Sequence, residues 1–336
     1  MLFTRRSASI VFAAVLAFAG GVSAFSQDAK QPPKATPKKK SYVIGMVPKS
    51  TENPIFNPAR VGAEAAAKEL GAKYGVQIKI DWRGPVAENA QKQAEIIEQL
   101  VATGADGIAV TASDAKLLKS AIDSAVGKNV PVVTFDSDVP DSKRLAYFGT
   151  DDFAAGQRTA AELVKSMGDK GVVAILAGNQ NAPNLQTRVK GVREELKKHA
   201  GIKVLDTVYH EENPQAAVLK IEQVQAANPQ ITGWAFVGGW PLNTDKALDK
   251  LKGKAKVVSI DAMPAMLGYV KRGEVEVLLG QQVYGWGYET TKILIENLIN
   301  GTTPKEAIIK AELEAVTKDT VDSYTKKWEE WMPSKK

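Results

Sequence analysis

"VPVVTFDSDVP" (residues 130–140) joins two patterns that seldom touch. Val130 to Phe135 is short, largely apolar and β-branched, the pattern of a strand buried on both faces. Asp136, Ser137 and Asp138 follow without a spacer. A turn accounts for part of this, because Asp and Ser bond their own backbone and Pro140 stops a strand. A binding site at the strand's end accounts for it as well. A strand buried on both faces needs cover on both, so the flanking sequence decides the fold.

The flanks alternate between two periodicities. Before the stretch, strand patterns at 42–47, 76–82 and 106–110 lead into helical patterns at 57–73, 88–104 and 114–128. After it, strand patterns at 145–150, 171–176, 202–209, 233–237, 255–260 and 274–280 lead into helices predicted at 152–167, 184–199, 214–227, 242–252, 262–271 and 285–300. A Lys- and Trp-rich helix is predicted at 319–331. This alternation predicts right-handed βαβ units and the α/β class, with two doubly wound parallel-sheet domains of similar length.

The 336 residues suffice for two domains with cores of their own. The net charge of +6 is unevenly placed. Residues 1–40 hold seven of the 44 bases and one of the 38 acids, which leaves 37 of each for residues 41–336. A neutral balance there gives no electrostatic footprint for nucleic acid. Arg5 and Arg6, the apolar run Ile10–Ala19 and the small residues Val22-Ser23-Ala24 form the pattern of a cleaved secretory signal peptide over 1–24. Residues 25–40 are Pro- and Lys-rich with little to bury, and read as a disordered tether, with membrane contact left open. The chain has no Cys, so its stability does not depend on disulfides.

Several chemistries lack their signatures. No G-x-G-x-x-G follows the first strand, and Gly285-Trp286-Gly287 comes late and lacks the third glycine. There is no P-loop and no G-x-S-x-G elbow. His199 and His210 are the two histidines, too few for a zinc site or for a well-supported triad. Asp136 and Asp138 sit too close in one segment for a usual glycosidase pair. No catalytic residue, metal site or cofactor is expected.

Open parallel sheets bind ligands outside the carboxyl ends of their strands. Those ends carry Lys49, Asn53 and Phe56, then Trp82 and Arg83, Thr111 and Ser113, and Asp136, Ser137 and Asp138. The second half adds Asn179, Asn184 and Gln186, then His210, Glu211 and Glu212, Trp240, Asp261, Gln281 and Gln282. Carboxylates and amides match vicinal hydroxyls, and aromatic rings pack on the C–H faces of a sugar. Any one of these residues could equally cap a helix or support a turn. Their recurrence in both halves favours a site for a polyhydroxylated ligand.

From residue 41 to about 325 the chain resembles the type I periplasmic sugar-binding proteins of ABC transporters, close to the ribose-binding group. "VPKSTENPIF" resembles that family's first strand and its Asn-Pro-aromatic loop, "PVVTFDSD" its strand ending in a ligand-binding Asp, and "VVSIDAMPAMLGYVKRGEV" its Val-Val-x-x-Asp segment. The resemblance implies ligand contacts from Asn53, Phe56, Asp136, Asp261 and Gln281. Ser137 and Gln186 stand where ribose binders have Arg, Glu212 replaces an aromatic, and Trp240 falls in or next to an Asn-Asp slot. These departures leave the identity of the sugar open. Lys49 and Asp136 resemble the autoinducer-2 receptor branch, whose following Asp-Gln pair would fall on Asn184 and Leu185.

The family implies a monomer in which segments crossing between two lobes form a multi-strand hinge. The N-terminal lobe is expected at 41–149 plus 282–311 and the C-terminal lobe at 150–281 plus 312–336. The implied partners are a small sugar or polyol and an ABC permease, with a chemoreceptor as a further candidate, in the periplasm. Trp240 is expected to stack on the sugar ring opposite Phe56, or else to pack in the core. The alternatives are an autoinducer-2 type receptor, a secreted sugar-processing enzyme, and the effector domain of a transcription regulator. The last would need a DNA-binding headpiece where the signal pattern stands.

Overall fold

A computed structural model describes residues 37–332. The signal pattern and most of the tether predicted over 25–40 lie outside the described residues. The chain begins with β1 (Ser41–Val47), β2 (Gln77–Trp82), β3 (Gly107–Val110), β4 (Val132–Phe135) and β5 (Ala146–Thr150). It continues with β6 (Gly171–Ala177), β7 (Ile202–Tyr209), β8 (Gly233–Phe236), β9 (Lys256–Ile260) and β10 (Val277–Gly280), then β11 (Ile308–Ala311) and β12 (Glu314–Val316). The helices are α1 (Asn57–Tyr74), α2 (Ala90–Ala102), α3 (Ala115–Gly127), α4 (Asp152–Met167), α5 (Pro183–Leu196), α6 (Pro214–Ala227), α7 (Pro264–Lys271), α8 (Val283–Asn300) and α9 (Val321–Trp331).

The strands form two six-stranded sheets, ordered β11-β5-β4-β3-β1-β2 and β12-β10-β9-β8-β6-β7. All neighbours pair in parallel except β12, which runs antiparallel to β10. The two sheets repeat one plan strand for strand. Their inner strands β3, β4, β8 and β10 are buried at every position, because helices cover both faces. The chain passes from one sheet to the other after β5, after β10, and between β11 and β12. Correspondingly, α4 packs on β8, β9 and β10, while α8 packs on β3, β4 and β5.

Two helix pairs approach so closely that only glycine fits between them. A Cβ on Gly62 or Gly287 would lie 2.1 or 1.7 Å from a carbonyl of the partner helix in the α1–α8 pair. Gly156 and Gly191 do the same for α4 and α5, at 2.0 and 2.2 Å. Gly287 therefore belongs to helix packing.

The helix predicted at 242–252 does not form. A short 3₁₀ helix spans Trp240–Asn243, and turns continue to Lys254. Lys246 sits at φ 61°, which interrupts any α-helix. The Tyr269 hydroxyl accepts the Ala247 N–H at 3.0 Å and donates to the Thr244 carbonyl, replacing bonds a helix would make internally. Ala247, Leu248 and Leu251 still bury their side chains, which is why their spacing reads as helical. The strands β11 and β12 lacked a sequence signal, being short, largely unburied edge strands.

Candidate functional site

At the carboxyl end of β4, Asp136 adopts φ 56°, and at the carboxyl end of β9, the equivalent strand of the second sheet, Asp261 adopts φ 80°. Asp tolerates this left-handed conformation better than most residues. The backbone turn takes both carboxylates out of the sheets and into one cavity between them. In each case the Asp N–H still completes the ladder, to Phe148 O and to Leu279 O.

The cavity brings together nine of the residues singled out in the sequence: Lys49, Asn53, Phe56, Asp136, Asn184, Glu212, Trp240, Asp261 and Gln281. Its open space is small, about 30 Å³, because polar side chains from the two sides meet across it. Lys49 donates to Asn184 Oδ1 at 3.3 Å and lies 3.9 Å from Glu212. Asn184 Nδ2 donates to Asp136 Oδ1 at 3.1 Å, and Thr111 supports the other oxygen at 2.9 Å. Asn53 caps the 3₁₀ helix Pro54–Phe56 through its Oδ1. Behind the wall, Gln93 of α2 fixes the loops after β1 and β3 by donating to Pro48 O and Thr111 O and accepting from Ser113 N.

Ser137 and Gln186 are placed elsewhere. Ser137 is fully buried beside Thr111, since the turn at Asp136 sends the next residue back toward the sheet. Gln186 accepts from the Tyr209 hydroxyl and lines a separate surface depression. Arg188 fills the position expected of Gln186. On α5, Asn184 and Arg188 are four residues apart and share a face, whereas residue 186 is turned away from it. That spacing was the available signal for Arg188. Its guanidinium binds Asp152 at 2.7 Å, Gln281 at 2.9 Å and the Val237 carbonyl at 3.2 Å, and approaches Asp136 at 3.8 Å. Gln281 in turn donates to Asp261 and accepts from Thr150, so Arg188 and Gln281 sit where the chain crosses between sheets.

Trp286 was also missed, its neighbouring glycines having drawn attention to a nucleotide motif. It lines the cavity, stands 6.0 Å from Phe56 and 6.2 Å from Phe135, and its buried Nε1 has no partner among the described residues. Trp240 also lines the cavity and meets His210 edge-on at 4.9 Å. Phe56 thus packs on Trp286, and no ring contact joins it to Trp240 among the described residues. Asp138 is held by Arg144 and Thr134, which makes it the support of the turn. Arg83 pairs with Asp81 outside the cavity.

Burial dominates the electrostatics. It pushes the Glu212 carboxyl up to about 7, a rise that Lys49 opposes and Glu88 reinforces. It raises Asp261 as well, against the pull of Arg188. Burial raises Asp152 to about 7 despite the guanidinium beside it. Burial alone would lower the Lys49 ammonium, yet Glu212, Asp136 and Glu88 hold it above the ordinary lysine value. Among the described residues no group of three or more His, Cys, Asp or Glu is placed to hold a metal ion, and no helix is long and apolar enough to cross a membrane.

Comparison with known proteins adds independent evidence. A family model described as a periplasmic binding protein domain matches residues 44–303. The chain is 28% identical over 159 residues to the ribose import binding protein of Bacillus subtilis, a match covering 47% of this chain and 50% of that protein, about half its length. The solved structure of an ABC transporter solute-binding protein from Burkholderia graminis, in complex with D-arabinose, superposes with a TM-score of 0.79 at 28% identity, covering 85% of this chain and 99% of that one. A carbohydrate transporter solute-binding protein from Agrobacterium radiobacter, also with D-arabinose, gives 0.78 at 26% identity, covering 86% and 98%.

Proposed function

The chain belongs to the periplasmic binding protein family, and on that premise we propose that it is an exported solute-binding protein. It closes two lobes on a small sugar or polyol and hands the ligand to the permease of an ABC importer. The lobes are residues 41–149 with 282–311 and residues 150–281 with 312–336, and the three crossings form the hinge. The observation that carries this reading is the pair Asp136 and Asp261, one from each sheet, turned by their left-handed backbone into one cavity. The two carboxylates can accept from the hydroxyls of one small ligand together only when both lobes are shut, so binding and closure are linked. Lys49, Asn184 and Asp136 are bonded to one another across the cavity. An entering sugar takes over those bonds and the faces of Trp240 and Trp286. The family and the leader pattern support a periplasmic location.

Lys49, buried and bonded across the cavity, favours a second reading as an autoinducer-2 type receptor. One thermal-shift panel of pentoses, hexoses, polyols and autoinducer-2 tests both. A ligand present at a hundred times its Kd stabilises by about 2.7 kcal/mol, a shift of several degrees. The sugar reading expects such a shift for at least one sugar or polyol, and autoinducer-2 alone would select the second reading. No shift with any of them would overturn both.

A further inference from the structure

The cavity opens outward into a mouth of about 1000 Å³, with which it shares Asn53, Glu212, Trp240 and Asn243. Glu52, Glu88, Glu211 and Glu212 line that mouth, and among the described residues no Lys or Arg does. Glu88 precedes α2 at the first sheet, whereas Glu212 follows β7 of the second. One residue holds both. Asn179 donates its side-chain amide to Glu88 at 3.1 Å and its backbone N–H to Glu212 Oε1 at 3.3 Å. Closing the lobes therefore brings two carboxylates together from opposite sides.

Among the described residues Lys49 is the one cation paired with this group, at 3.9 Å from Glu212 Oε1. Arg188 is engaged by Asp152, Gln281 and Val237 O on the far side of the cavity. The Glu212 side chain is only 8% exposed, and its Oε2 has no hydrogen bond among the described residues. The pair of carboxylates is thus one positive charge short, and for Glu212, whose side chain is largely withdrawn from water, an unpaired charge is costly. Two carboxylates bridged by an amide are too few for a calcium site, which takes six to eight oxygens. The aromatic ring of Trp240 lines the same mouth.

We propose that the ligand supplies the missing charge: an amino-sugar, imino-sugar or amino-polyol whose hydroxyls occupy the inner cavity and whose ammonium group lies between Glu88 and Glu212. This rests on the reading of the site as one for polyhydroxylated ligands and narrows it. Sugar acids and sugar phosphates are the class the site rejects.

Burial raises Glu212 to about 7, so with a neutral ligand the missing charge is a proton. The closed-state value then lies above the ordinary carboxylate value near 4.5. A neutral ligand binds best below about 4.5 and loses affinity as pH rises toward 7. An ammonium replaces the proton, and its affinity does not fall in that window. The charged and titratable groups around Glu212 are Lys49, Glu88 and Asp136, with Glu52, Glu211 and His210 on the same mouth; burial holds His210 below the ordinary imidazole value. Asp152, held by Arg188 on the far side of the cavity, titrates in the same range, so comparison of Glu88→Gln and Glu212→Gln with wild type, rather than the pH change alone, assigns the effect.

The experiment is calorimetry at pH 5.5 and pH 8.0 with D-arabinose, D-ribose and xylitol, the corresponding 1-amino-1-deoxy alditols, and arabinonate. At pH 8.0 at least one amine should bind tenfold or more tightly than its neutral counterpart, and arabinonate tenfold or more weakly. The preference should shrink between pH 8.0 and 5.5, and Glu88→Gln should reduce it below threefold at pH 8.0. Neutral sugars that bind without any amine preference at pH 8.0 overturn the inference alone. An amine preference that survives in both Glu88→Gln and Glu212→Gln overturns the placement of the ammonium. No binding in either series while another sugar or polyol shifts the melting temperature overturns the inference alone; no response anywhere in the wider panel overturns the underlying reading with it.

Discussion

Replacing Asp136 by Asn separates ligand recognition from turn chemistry. An ionised carboxylate offers about four acceptor positions. Thr111 Oγ1 at 2.9 Å and Asn184 Nδ2 at 3.1 Å use two of them, which leaves two for ligand hydroxyls. Asn keeps one acceptor oxygen, turns the other into a donor, and removes the charge. A charged hydrogen bond contributes about 1.5–3 kcal/mol and a neutral one about 0.5–1.5. Losing one charged bond and weakening the second costs about 2–4 kcal/mol of affinity, or roughly 30- to 700-fold in Kd. The fold is asked for little. Asn tolerates the left-handed backbone at φ 56° as Asp does, whereas Ala there would cost about 1–2 kcal/mol. Arg188 keeps its 2.7 Å bond to Asp152. Calorimetry with the best ligand of the panel, together with melting of the unliganded protein, gives both quantities. Kd within threefold of wild type, with a melting temperature lower by eight degrees or more, would show that Asp136 is a turn residue.

Trp240→Ala should weaken binding about tenfold or more, since the ring's buried apolar area adds to a ring-contact contribution of the size seen for aromatic pairs, about 0.5–1.5 kcal/mol. It should also remove most of any ligand-induced tryptophan fluorescence change. Normal affinity with a lowered melting temperature would assign Trp240 to the core. Gly287→Ala puts a methyl group 1.7 Å from the Ala59 carbonyl and must part α1 from α8. The expected loss is about 1–3 kcal/mol in a denaturant titration, and an unchanged midpoint would refute the close-packing argument. Gln93→Ala leaves two buried carbonyls and one N–H unpaired behind the site. At about 1–3 kcal/mol per group it should destabilise more than any other substitution named here, and a loss under 1 kcal/mol would show that water takes its place.

The sequence by itself determined the alternation of strands and helices, the doubly wound class and the two carboxylates at strand ends, one in each half; that the two strands hold equivalent places comes from the sheet orders. These depend on local periodicity and on what each strand must bury, and both are written along the chain. The same local evidence placed Lys49, Asn53, Phe56, Asp136, Asn184, Glu212, Trp240, Asp261 and Gln281 near strand ends, where the fold gathers them. It offered a signal for Arg188 in the four-residue spacing from Asn184, but only packing fixes that this face of the helix looks inward and that Gln186 is turned away. It read a helix at 242–252 because burial there follows helical spacing, while the hydroxyl of Tyr269, 22 residues from Ala247, takes over the backbone bonds. Trp286 gave no sign of a site, since its place beside Phe56 follows from the close approach of α1 and α8. The meeting of Glu88 with Glu212 was equally invisible. They are far apart in the chain and come from different sheets, so only the closing of one sheet's strand ends on the other's puts the two charges together.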